Sequence, residues 1–77
     1  MGLDGIHTRI SHFFQDLPQY PDSKNTHRIG LHLSRSQAYT AGLEDKPQVH
    51  YIDGTGYADC IDKADAFVKA NLPGYSI

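Results

Sequence analysis

Three aspartates near the C-terminal end, Asp59, Asp62 and Asp65, repeat every three residues and so share one face of a helix. Paired carboxylates can hold a divalent cation or exchange protons with a substrate. The spacing also fits a plainer role. Asp59 and Asp62 fall where a helix dipole favours negative charge. Asp59–Lys63 and Asp65–Lys69 are i, i+4 pairs in the favourable order. No catalytic or metal-binding role is therefore assigned to them, and an acidic partner-binding face is expected. Cys60 sits near the same helix start, a position that can lower a thiol pKa. The flanking aspartates oppose a thiolate, and only His50 is available as a base, so a small core residue is the expected role. Asp53-Gly54-Thr55-Gly56 precedes the helix as phosphate loops do, but it lacks the P-loop lysine and the third glycine of a dinucleotide fingerprint. It reads as a turn whose glycines tolerate positive φ.

The five histidines give no zinc spacing. His7 and His12 lie about 140° apart around a helix and cannot chelate one ion. His27 and His32 point to opposite faces of a strand. His32 and His50 could converge on one sheet face, yet two ligands without a third make a weak site. No cofactor and no metal are expected.

The elements that must position these residues follow from periodicity. Ile6, Ile10, Phe13, Phe14 and Leu17 predict a helix over Asp4–Leu17, with Asp4 at its start and Pro18 ending it. Residues 18–26 read as a polar loop with Tyr20 as its large apolar group. Ile29, Leu31 and Leu33 alternate with polar residues and glycine over 27–35, the pattern of a half-buried strand. A second strand is expected over Ala38–Leu43, although a short helix capped from Ser36 is the other reading. Val49–Ile52 gives a third strand. A last helix opens at Asp59 in a box with Asp62, buries Ile61, Ala64, Phe67, Val68 and Leu72, and stops at Pro73-Gly74. The order is helix, three antiparallel strands, helix: an α+β two-layer sandwich spanning residues 1–77 as a single domain. Its open sheet face would carry Arg28, His32, Ser34, Thr40, His50 and Ile52.

This order resembles that of double-stranded-RNA-binding domains and of small toxin-type RNases of similar shape. The resemblance would place a phosphate-gripping helix start after Gly54-Thr55-Gly56 and a sheet histidine at His32. The helix start here reads Ala58-Asp59-Cys60-Ile61-Asp62, with acids where that family has lysines.

Composition narrows the function. Seventy-seven residues form one domain that buries only ~60–65% of its unfolded surface. A single cysteine excludes an internal disulfide. A core of this size supplies roughly 3–5 kcal/mol, so a partner is a natural source of further stability. The net charge of −2 lacks the basic surplus of a DNA-binding module. The bases are denser in residues 1–36 and the acids in 37–77. No apolar run reaches the ~18–20 residues of a membrane helix, and neither a signal peptide nor a myristoylation motif is visible. A lone thiol fits the cytoplasm of a cell or of an infected host.

The expectation is a non-enzymatic protein-binding module, an inhibitor or adaptor of the kind that phages and other mobile elements encode. It would act by blocking a site on a partner protein or by pairing as a dimer. Docking is expected on Arg28, His32, His50, Asp59, Asp62 and Asp65, and on Tyr20, Tyr57 and Tyr75, the aromatics outside the core stripes. An RNA-binding or RNA-cleaving domain using the polar sheet face is the alternative.

Overall fold

The computed structural model describes residues 9–77. Three strands, β1 (His12–Asp16), β2 (His27–Leu33) and β3 (Gln48–Gly54), form one antiparallel sheet in the order β1-β2-β3. A short helix, α1 (Arg35–Thr40), lies between β2 and β3, and a longer one, α2 (Tyr57–Asn71), follows β3. The arrangement is α+β with a three-stranded antiparallel sheet, as the patterning implied.

Two elements differ from the sequence reading. The helix expected over Asp4–Leu17 gives way to β1 across His12–Asp16, and its residues 4–8 lie outside the described residues. The helical stripe coexists with His-Phe-Phe, residues that fit a pleated surface, and pairing with β2 decides between them. The strand expected over Ala38–Leu43 is α1 and the chain after it. Ser34, two residues before Ser36, caps this helix in a complete box. Its hydroxyl accepts from the Gln37 amide, and the Gln37 side chain accepts from the Ser34 amide. A helix therefore separates the second and third strands. The order of the double-stranded-RNA-binding domains is not reproduced among the described residues.

The core lies between one sheet face and α2. Ile29, Leu31 and Leu33 of β2 meet Cys60, Ala64, Val68 and Leu72 of α2, with Ala38 of α1 and Ile10 at the margins. Most helix residues at this contact are small, so α2 can approach the sheet closely. Gly54 serves the same purpose. A Cβ there would stand 2.9 Å from the Asp59 carboxylate and 3.0 Å from the Cys60 sulfur. Neither Gly54 nor Gly56 lies in the left-handed region, so close approach, not turn geometry, accounts for Gly54. At the other end, Tyr75–Ile77 folds back, and the Ile10 amide donates to the Ser76 carbonyl at 2.7 Å.

All eight aromatic residues of the chain are among those described, and none is in the buried core. Tyr20, Tyr39, Tyr51 and Tyr57 are between 47% and 69% exposed. The protein builds its interior from aliphatic and small side chains and places its largest apolar groups at or near the surface.

Candidate functional site

Strand pairing puts directly opposed residues on the same sheet face. Ile29, Leu31 and Leu33 face α2, so Arg28, Gly30 and His32 face away. The register then builds the open face in rows. Phe13, Gly30 and Tyr51 form the central row, Gln15, Arg28 and Asp53 a second, and His32 and Val49 a third.

The central row is organised around Gly30. A Cβ at that position would lie 2.5 Å from Cζ of Phe13, so the absence of a side chain lets the Phe13 ring lie across the middle strand. His32 flanks this ring at 5.2 Å between centroids. Tyr51 meets it edge-on at 6.1 Å, one of the arrangements that ring quadrupoles favour. Arg28 extends over the other side of Tyr51, its Cζ 5.1 Å from the ring centroid. Its Nε and Nη2 donate to the two Asp53 carboxylate oxygens at 2.6 and 3.2 Å. That two-bonded contact holds the Asp53 carboxyl below its ordinary pKa and raises the Arg28 guanidinium. The result is a plate of aromatic rings on rigid strands, ended by a fixed ion pair. A groove of about 250 Å³ continues beyond the pair, lined by Arg28, Asp53, Leu17, Pro18, Tyr20, Ser23 and Asn25. A larger hollow of about 500 Å³ beside α1 is edged by Tyr39 and the Arg35–Asp45 ion pair.

The nine residues expected to bind a partner are spread over separate surfaces. Arg28 and His32 belong to the open face. Tyr20, in the loop after β1, lines the groove at its end. His50 does not join them. It lies opposite Leu31 on the covered face and stacks on Phe67 of α2 at 4.5 Å. Burial there lowers its pKa. His32 and His50 thus point to opposite sides of the sheet, and the expected convergence is absent. Ile52 is likewise on the covered face, whereas Val49 and Tyr51, expected inside, are outside. Ser34 and Thr40, also expected on the open face, belong to the cap and last residue of α1.

Asp59, Asp62 and Asp65 lie on α2, and Asp62 is exposed. Asp59 and Asp65 make the anticipated pairs with Lys63 and Lys69, at 3.1 and 2.9 Å. The box between Asp59 and Asp62 does not form. Asp59 instead accepts from the Thr55 amide at 2.9 Å, and this bond holds its carboxyl below the ordinary value. Cys60 is fully buried, and burial raises its thiol pKa. Tyr75 is half-buried against the core margin.

Tyr57, also expected to dock, stands at the margin of the covered face. It packs edge-on against Phe14 at 5.1 Å and over His27 at 4.3 Å. His27 lies between Asp16 and Thr26, with Nε2 3.4 Å from the carboxylate and Nδ1 2.7 Å from the hydroxyl. Carboxylate, imidazole and hydroxyl are the parts of a nucleophile relay. Two backbone donors of this region are already engaged, however. The Thr26 amide donates to Gly54 and the Leu17 amide to Thr26. The cluster joins β1, β2 and the start of α2 as a clasp. Among the described residues, no group of three or more His, Cys, Asp or Glu side chains could hold a metal ion. No helix there is long and apolar enough to cross a membrane.

No family model matches the chain, and neither a curated protein nor a solved structure gives a significant match. The open face must be read on its own chemistry. Phe13, Val49, Tyr51 and Asp53 were missed as site residues. The one signal for them in the sequence was Gly30, a glycine inside an alternating strand, which marks close approach of a bulky neighbour.

Proposed function

We propose that the protein is a non-enzymatic protein-binding module, an inhibitor or adaptor, that docks through its open sheet face. The observation that carries this reading is the plate of Phe13, His32 and Tyr51 with Arg28 beside it, uncovered among the described residues. Aromatic residues and arginine are the side chains most enriched at the centres of protein interfaces. Both belong to ordered strands here, so little side-chain entropy remains to be lost on docking. The face measures roughly 24 by 14 Å from strand rise and spacing. That is smaller than the ~800 Å² each partner contributes to a standard interface, so the groove at Tyr20 is expected to take part. A site of this shape suits blocking or bridging, and the acidic side of α2 would tune the choice of partner by charge. A cytoplasmic setting, in a cell or an infected host, fits the single thiol.

Charge argues against the nucleic-acid alternative. Arg28, Arg35, Lys46, Lys63 and Lys69 each pair with a carboxylate. Few cations remain to neutralise phosphates. The aromatic plate itself is the observation that keeps RNA as a second reading, because bases stack on such rings.

A photo-crosslinking residue placed at Gln15, exposed on the open face, tests the first reading. It should yield one dominant protein adduct in a lysate of the native host, absent when the same residue replaces Tyr39 on α1. Equal adducts from both positions, or none from Gln15, would refute it. Retention on single-stranded RNA that weakens with salt, and is lost in Phe13→Ala, would install the second reading instead.

A further inference from the structure

The sheet has two outer edges, and they are treated differently. At β1, the chain's own C-terminal tail covers the start of the edge through the Ile10–Ser76 hydrogen bond. At β3, seven residues pair with β2 without a bulge, and no lysine or proline interrupts them. Proteins usually guard an exposed edge with such features.

Which peptide groups of β3 are left unpaired among the described residues follows from the phase of the ladder. Antiparallel pairing alternates residues that bond to the neighbouring strand with residues that bond away from it. The His32 amide donates to the Ser11 carbonyl at 2.9 Å. Arg28, Gly30 and His32 therefore bond towards β1, and Ile29, Leu31 and Leu33 towards Ile52, His50 and Gln48 of β3. The peptide groups of Val49, Tyr51 and Asp53 point outward. One of them is already occupied, since Lys63 Nζ donates to the Asp53 carbonyl at 3.3 Å. Continuing the alternation backward, Pro47 also faces outward and has no N–H to offer.

These vacancies are self-complementary. We infer that β3 pairs with β3 of a second copy, antiparallel about a two-fold axis at His50, to form a continuous six-stranded sheet. In this register Val49 lies opposite Tyr51 of the second copy, and each exchanges both backbone bonds. Asp53 lies opposite Pro47, where its amide donates to the proline carbonyl. The missing proline N–H faces the Asp53 carbonyl, which Lys63 already serves. A register centred on Tyr51 would instead set Val49 against Asp53 and direct a second donor at that occupied carbonyl. On the helix side, His50 would meet its counterpart as a close, non-hydrogen-bonded pair. The two His50–Phe67 stacks would then touch across the axis and add apolar burial to the backbone bonds. This pairing is independent of the open-face reading, because it uses the edge and leaves Gln15 and Phe13 free.

The test is sedimentation equilibrium of the full chain together with amide hydrogen exchange. The chain should sediment as a concentration-dependent dimer. Protection of the Val49 and Tyr51 amides should rise with dimer fraction. Val49→Pro removes an outward donor that the monomer does not use, and should weaken the dimer at least about tenfold while circular dichroism stays native. Should that variant misfold, the full chain carrying an N-methyl group at Val49 gives the same readout. A monomer at every concentration overturns the inference. So does a dimer whose Val49 and Tyr51 amides exchange as fast as in the monomer.

Discussion

The two faces of the sheet share the same three strands and have opposite character. On the covered face, Ile29 and Leu31 are completely buried, and most of their helix partners are small: Cys60, Ala64 and Val68. On the open face the same strand presents Arg28, Gly30 and His32, with Phe13 lying across the glycine and Tyr51 beside it. Close-packed aliphatic contact has no polar edge to satisfy and excludes water, so it supplies stability. Rings left at the surface supply contact area that the monomer does not use. In a chain this short the two tasks are divided between faces of one sheet, and the boundary runs between successive residues of β2.

Substitutions at adjacent positions of β2 should separate the two tasks. Leu31→Ala, in the buried centre, is expected to cost about 2–5 kcal/mol in urea unfolding. A loss near zero would mean that the covered face does not hold the fold. Gly30→Ala, one residue away, drives a methyl group into the Phe13 ring and should cost about 1–3 kcal/mol. Much of that loss should return in the double variant Gly30→Ala/Phe13→Ala, because the clash requires both groups. Simple additivity would show that the ring does not rest on the glycine.

The third prediction concerns pH. Burial lowers the pKa of His50 below its ordinary 6.5, so the unfolded chain takes up this proton at higher pH than the folded one. Stability should therefore fall as pH drops through about 6.5 and level off below the folded value. His50→Gln should flatten that part of the unfolding profile between about pH 8 and 5. The smallest effect is expected for Tyr51→Ala, within about 1 kcal/mol of the parent. A much larger loss would mean that the open face stabilises the monomer and is not held in reserve.

Much of this division was legible in the sequence. The alternation of Ile29, Leu31 and Leu33 marked β2 and its buried side. The spacing of Ala64, Val68 and Leu72 marked α2, and the order of charges gave both of its ion pairs. What escaped was information that lies in pairing. His12–Asp16 carries a helical stripe when read alone and becomes a strand because β2 offers it a ladder. The faces of β3 were inverted because Val49 and Tyr51 look more apolar than His50. The register sets Tyr51 opposite Gly30, beside the Phe13 ring that lies across the glycine, and His50 opposite Leu31 under Phe67. The candidate site was thus half visible: Arg28, His32 and Tyr20 were named, but Phe13 and Tyr51, which form its plate, depend on a register that no single strand encodes.

The complete burial of Cys60 has a practical consequence. Its sulfur lies between α2 and the end of β3, beneath Gly54, and its raised pKa keeps it a thiol. An alkylating reagent can reach it only when α2 lifts from the sheet. The rate of labelling under native conditions is therefore a clock for that opening. The chain has one such thiol, so the reading is uncontaminated by any other site. The opening of the helix–sheet contact can be timed without denaturant, one variant after another, with no reporter residue introduced into the protein.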